Sequence, residues 1–430
     1  MTDRIDQATR QDVYARIDRR FDDFVEELRA YARVPTISAR REAEAEGAEA
    51  TRALLERHGV QARLMDVPGG PPLVIGEVAG ASSGPPLILY NHYDVQPVDP
   101  LEQWRRAPFD PVVEDGKLFA RGVADTKGNT AAQAFAQSAV REVVGRLPVS
   151  LRFMVEGEEE VGSPHLPAFA RQHPALFRGA GATIEGAGHT PQGVPEVYLG
   201  SKGILYVELK VRTAAVDQHS SLAASLPNPA WRLLEALRII RDSRGRVLIP
   251  GFYDGVPRPT REAQAFLRKN PFDPREWQKA YEVTEVFGGK TRLGRLIAYC
   301  YNPTCNIDGI VSGYTGPGSK TINPAHAAVK LDFRLVPGQR PLRILAALKA
   351  HLRRKGFGDI EVIQHSTFEP GASPASSSTF FYTSRGTPAA LPPGVGYSGS
   401  LIHAPNEHIR VEDARRAIKA FAALMLLWGG

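Results

Sequence analysis

The chain has 430 residues, too many for a single hydrophobic core, and its 43% hydrophobic and 23% charged content excludes a disordered or fibrous protein. Its 53 Lys and Arg against 47 Asp and Glu are spread along the chain with no basic block, aromatic RNA motif or zinc-finger spacing, so nucleic acid is not an expected partner. Two cysteines, Cys300 and Cys305, are too few for a four-cysteine metal site and read as reduced thiols; with no signal-peptide core and no apolar run of about 18 residues, a cytoplasmic, membrane-free location is expected.

Tyr14, Ile17, Phe21, Phe24, Leu28 and Tyr31 recur at three- and four-residue steps, which predicts one amphipathic helix ending before Pro35. A second helix is expected near 49–58, and short apolar runs at 73–78 and 87–90, bounded by Gly and Pro, read as buried strands. An Ala-rich helix over 130–144 precedes strands at 149–155 and 182–184. Alternating strand and helix imply an α/β layered sheet. After Gly200 the pattern changes. Residues 204–211 and 326–336 alternate as antiparallel strands do, and helices at 229–241 and 342–352 accompany them, which suggests an α+β unit. Residues 370–399, rich in Ser, Pro and Gly, read as a return linker with active-site loops, followed by a long helix over 411–428. The expected organisation is an α/β domain over 1–203 and 368–430, interrupted by an inserted α+β domain over 204–367.

Five polar clusters punctuate this scheme: Asn91-His92-Tyr93-Asp94, Arg121 to Asp125, Glu156-Gly157-Glu158-Glu159-Glu160, Ile184-Glu185-Gly186 and His403 to Glu407. Four stand at or just past predicted strand ends, where open α/β sheets place their sites. Together they offer imidazoles and carboxylates, a mixed N/O donor set that suits zinc, manganese or cobalt better than calcium or magnesium. An isolated Glu-Glu-Glu is more often a solvated turn. Here it follows the apolar run Leu151 to Val155, where burial would cost several kcal/mol per charge (about) unless divalent cations compensated it.

The stretches NHYDVQP, PFDPVVEDGKLFARGVADTKGN, EGEEEVGS, GSKGILYVELKV, DQHSS, KTINPAHAAVKLDFRLVPGQ and HAPNEHI, in this order from 91 to 409, make the chain resemble the M20 metallopeptidases, a family of dipeptidases, aminoacylases, desuccinylases and carboxypeptidases. The resemblance implies a zinc-peptidase-like catalytic domain with a mixed sheet and an inserted ferredoxin-like lid or dimerisation domain. It implies two divalent metal ions, zinc first and manganese or cobalt as alternatives. His92 and Glu185 would be terminal ligands of one ion and Glu160 and His403 of the other, with Asp125 bridging. Asp94 would fix the His92 tautomer, and Glu159 would be the general base. The family often has a cis peptide after the bridging aspartate. His219 would stabilise the oxyanion from across a homodimer interface, and Arg334, helped by Asn323, would clamp the substrate carboxylate. Thr126 and Ser221 depart from the usual family residues, Ser221 standing where Gly commonly follows His-Ser.

The expected function is therefore hydrolysis of a dipeptide or short peptide with a free carboxylate, or alternatively of an N-acyl or N-carbamoyl amino acid. A silent dimeric binding module is the non-enzymatic alternative, although every candidate ligand is retained. No Gly-x-Ser-x-Gly elbow supports a serine hydrolase.

Overall fold

The structure, a computed structural model, describes residues 7–197, 202–370, 382 and 386–428. It divides into two compact units, one formed by 1–200, 271–287 and 373–430, the other by 201–270 and 288–372. The insertion expected over 204–367 is thus not one block: residues 271–287, with the helix Pro274–Tyr281, group with the first unit, where the Tyr281 hydroxyl donates to the Ser398 carbonyl at 2.6 Å.

The first unit is built on a six-stranded sheet in the order Gln61–Met65, Leu73–Val78, Leu151–Glu156, Leu87–His92, Gly181–Ile184 and Ala389–Ala390. The first two neighbour pairs are antiparallel and the other three parallel. Side chains alternate across it, with Val74, Leu87 and Leu89 in one core cluster and Ile75, Ile88 and Tyr90 in another. Burial on both faces explains why these strands read as continuous apolar runs. The first cluster is closed by the helices Gln7–Arg19, Phe21–Ala32, Lys127–Val144 and Val411–Trp428, through Ile17, Phe24, Phe135 and Phe421. The single helix expected from Tyr14 to Tyr31 is two, broken at Arg20, where the backbone leaves helical geometry (φ −110°, ψ 11°). Ile17, Phe21 and Phe24 stay on one core across the break, so hydrophobic spacing could not reveal it.

The three adjacent parallel strands Leu151–Glu156, Leu87–His92 and Gly181–Ile184 end on one edge, bringing His92, the glutamate run and Glu185 together. A small sheet of His408–Arg410, Lys117–Phe119 and Val112–Glu114 supports the segments that carry Asp125 and His403. Beside them the loops meet closely: a Cβ on Gly186 would lie 2.5 Å from the Gly394 Cα, so only glycine fits there.

The second unit holds a four-stranded antiparallel sheet, ordered Thr304–Ser312, His326–Leu335, Gly203–Arg212 and Glu361–Phe368. With the helices Pro229–Ile240 and Pro341–Arg354 the chain runs β-α-β-β-α-β, the ferredoxin-like order. Asn228 caps the first of these helices by accepting the N–H groups of Ala230 and Trp231, and Pro229 opens it. Leu205, Val207, Leu209 and Val211 point at the two helices, while Tyr206, Glu208 and Lys210 stand on the other face. Three short helices between 261 and 301, each begun by a Thr or Asp cap, were not legible in the sequence. Among the described residues no helix is long and apolar enough to cross a membrane.

Candidate metal centre

His92 closes its strand at 1% exposure. Its Nδ1 lies 3.0 Å from the Asp94 carbonyl and 3.3 Å from Asp94 Oδ1, so it donates there and Nε2 is left facing Asp125 Oδ1 at 3.1 Å. The Asp94 carboxylate also accepts the backbone N–H groups of Glu159 (3.2 Å) and Glu160 (3.0 Å). One buried aspartate thus fixes both the imidazole tautomer and the turn that carries two glutamates.

Asp125 is central. Its Oδ2 lies 3.1 Å from His403 Nε2, which is also 3.1 Å from Glu160 Oε2. Glu160 receives a hydrogen bond from Gln96 Nε2 at 3.0 Å. Potential ligand atoms of His92, Asp125 and Glu160 lie within 4.8 Å of one another, as do those of His92, Glu159 and Glu185. Glu185 sits in the left-handed region (φ 49°), as does His403 (φ 64°). The Glu185 carbonyl accepts from Gln133, whose own carbonyl accepts from Asn91. The peptide bond between Asp125 and Thr126 is cis.

The six side chains expected to act together, His92, Asp125, Glu159, Glu160, Glu185 and His403, are therefore gathered at one place. Sequence reasoning assigned no role to Gln96 or Gln133 and named Asn91 only as part of its cluster; these polar side chains become informative only once their partners are known.

Electrostatics show what the cluster lacks. Burial, then the Asp125 charge, pushes Glu160 up to about 7. Burial and the neighbouring Glu159 charge hold Glu185 well above the usual carboxylate range, and its buried Oε1 has no hydrogen-bond partner. His403 is pushed up to about 11: burial opposes the charged imidazolium, but Glu160 and Asp125 outweigh it. Burial alone would raise Asp125, yet the imidazoles of His403 and His92 hold it far below the ordinary carboxylate value. Protons here balance carboxylates that burial would otherwise leave charged and uncompensated. An orphaned buried carboxylate oxygen within a two-imidazole, four-carboxylate set fits a pair of divalent cations.

This arrangement sets a sign. Because Glu160 and the imidazoles hold protons that a metal must displace, metal affinity should rise with pH as Glu160 deprotonates through about 7. Chelator competition with Mn²⁺ from about pH 6 to about pH 8 should show about tenfold tighter binding per unit for each proton displaced. A flat profile would contradict the protonated metal-free site.

The other expected residues lie in the second unit. His219 pairs with Ile322 in a two-stranded ribbon, and its Nδ1 accepts the Ser221 N–H at 3.2 Å and lies 2.8 Å from Ser221 Oγ. Accepting at Nδ1 places the proton on Nε2, the tautomer an oxyanion donor needs. Asn323, in the same ribbon, is buried and donates to the Pro227 carbonyl at 3.2 Å. Arg334 is half exposed on the open sheet face, its Nε 3.2 Å from Asp332 Oδ1. The joint clamp expected of Arg334 and Asn323 would draw on the two ends of one strand. Asn323 precedes the strand His326–Leu335 and Arg334 lies near its far end, so eight strand residues, roughly 27 Å at about 3.4 Å each, separate them within one chain. His219 and Asn323 form one group, Arg334 another.

The profile of peptidase family M20/M25/M40 matches residues 88–427. The chain is 31% identical over 300 residues to the beta-Ala-His dipeptidase of Rattus norvegicus, covering 68% of this chain and 61% of that protein. The chain thus spans about three-fifths of the length of that relative. It is 26% identical over 361 residues to the Cys-Gly metallodipeptidase dug1 of Schizosaccharomyces pombe, covering 80% and 75%. Among solved structures, the M20 family metallo-carboxypeptidase Sso-CP2 from Sulfolobus solfataricus superposes with a TM-score of 0.87 at 35% identity, covering 94% of this chain and 99% of that one. Human carnosine dipeptidase 1 has the same fold, with a TM-score of 0.83 at 24% identity over 98% and 99%.

Proposed function

Because the chain belongs to peptidase family M20/M25/M40, we propose that it is a metal-dependent hydrolase cutting the amide bond of dipeptides or short peptides with a free carboxylate. The observation that carries the reading is the carboxylate and imidazole cluster around Asp125, with its buried and unpartnered Glu185 oxygen. His92 and Glu185 would hold one ion, Glu160 and His403 the other, and Asp125 both; zinc is favoured, manganese and cobalt being the alternatives. When bound, such a pair supplies Lewis-acid polarisation of the scissile carbonyl and an acidified water.

The chain's own residues do the rest. Glu159 takes a proton from the attacking water as its oxygen bonds to the carbonyl carbon, then delivers that proton to the amine nitrogen as the C–N bond breaks. The Nε2–H of His219 donates to the oxygen that gains charge, and Arg334 pairs with the substrate carboxylate. The likeness to a beta-Ala-His dipeptidase and a Cys-Gly metallodipeptidase favours dipeptide substrates, and the likeness to a metallo-carboxypeptidase favours a free carboxylate.

The active unit is proposed to be a homodimer joined through the second unit. Support comes from its exposed apolar side chains, Trp231 and Leu234 on one helix and Ile310 and Val311 on the edge strand Thr304–Ser312. The separation of the His219 ribbon from Arg334 within one chain also favours a site completed by two subunits. Cys300 and Cys305 as reduced thiols suit a reducing cytoplasm.

The deciding experiment combines elemental analysis with a panel of dipeptides and N-acyl amino acids. About two ions per chain, dipeptide turnover and its loss on chelation are expected. Turnover of N-acyl amino acids alone would make the protein a deacylase, and a metal-loaded protein that turns over neither would leave it a binding module.

A further inference from the structure

Glu407 is 1% exposed and stands four residues after His403. Its Oε1 accepts the backbone N–H groups of Ala124 at 2.9 Å and Asp125 at 3.2 Å. Its Oε2 accepts from Arg121 Nη1 at 2.7 Å, and Arg121 Nη2 donates to the Pro97 carbonyl at 3.0 Å. The equally buried guanidinium lies 5.2 Å from the Trp104 ring centre, and Trp104 Nε1 donates to the Val98 carbonyl at 2.8 Å. Three distant segments meet here: the turn after His92, the loop ending in Asp125 and the segment carrying His403.

Stability alone does not account for two charges in this position, because well-packed apolar residues of similar volume often hold such segments at least as firmly. What an apolar pair cannot supply is one acceptor aimed at two consecutive N–H groups. One of those groups belongs to Asp125, whose carboxylate must stay level between His92 and His403, 3.1 Å from each. Fixing the Ala124 and Asp125 amides fixes the peptide from which that side chain springs. We infer that Glu407, itself held by Arg121, is a positioning residue that sets the Asp125 carboxylate for simultaneous ligation of two metal ions. It touches neither metal nor substrate, and the inference rests on the proposed bridging role of Asp125. A glutamine would turn an N–H group toward Arg121, donor against donor, and an aspartate is one methylene too short to span both partners.

Two double variants separate positioning from packing. Arg121→Met with Glu407→Gln removes both charges but keeps an amide oxygen for the two N–H groups; Arg121→Met with Glu407→Met keeps volume and removes the acceptor. With metal-free Tm values close to each other, the first should bind Mn²⁺ within about threefold of wild type and the second about tenfold to a hundredfold more weakly. The second should also lose kcat while KM holds. Two ions per chain in wild type and unchanged affinity in the methionine pair would overturn the positioning role alone. Fewer than two ions in wild type would overturn the bridging role of Asp125, and the positioning role with it. Should a double variant not fold, hydrogen exchange of metal-free wild type decides. Protection of the Ala124 and Asp125 amides by about a hundredfold or more supports the clamp, and exchange at the unprotected rate overturns it.

Discussion

Glu159→Gln should lower kcat by about a hundredfold or more while both metal ions stay bound and KM changes little. The expectation comes from how Asp94 presents the turn. Its two oxygens hold the consecutive N–H groups of Glu159 and Glu160, and the two side chains then diverge. Glu160 lies 3.1 Å from His403 and is grouped with His92 and Asp125, whereas Glu159 is grouped with His92 and Glu185. Glutamine keeps the size of Glu159 but cannot accept the proton, so binding should survive and proton transfer should not. Elemental analysis beside single-turnover kinetics checks this. If Glu159→Gln strips a metal and Glu160→Gln does not, the base and the ligand are exchanged.

Mixing two inactive variants should restore activity. His219→Ala and Glu159→Gln are each expected to be nearly inactive alone. If His219 serves the partner's site, every mixed dimer has one site with both wild-type groups and one with neither. Random exchange at equal concentrations makes half the dimers mixed, so about a quarter of wild-type activity should return. No recovery from proven mixed dimers would place His219 in its own chain's site or outside catalysis. The Nε2–H tautomer set by Ser221 adds a finer check, since Ser221→Gly keeps the backbone donor and should cost far less than His219→Ala.

Much of the fold was legible because it rests on local patterns. The strand Leu73–Val78 is an apolar run buried on both faces, and burial of that kind leaves a mark in sequence that chain context cannot erase. The edge strand Thr304–Ser312 escaped because most of its residues face solvent and follow no alternation, whereas Gln61–Met65 escaped because only Ala62 and Leu64 alternate onto the core, too short a pattern to read. The helices Arg261–Lys269, Pro274–Tyr281 and Arg292–Tyr301 are short, at 9, 8 and 10 residues, so each stripe spans too few turns to be read as a helix. In the site, the donors were visible as residue types beside strand ends, while their grouping came from family likeness. The Glu407 contact with the Asp125 amide spans 282 positions and has no local signature. Arg334 and Asn323 stand at opposite ends of the one strand His326–Leu335, a spacing the sequence already carried.

The helix Val411–Trp428 closes the core that also contains Val13, Ile17, Phe24 and Phe135, and His403 and Glu407 lie just ahead of it. During synthesis the acidic strand ends emerge long before either histidine-bearing loop 403–407 or the helix that buries their shared core. Until residues 403–407 have emerged, the nascent chain has Asp125 without His403 and without the Glu407 acceptor for its amide. The two halves of the centre meet only when the segment ahead of the helix Val411–Trp428 is placed on that core, so metal binding there is coupled to closing the core and not to the sheet alone.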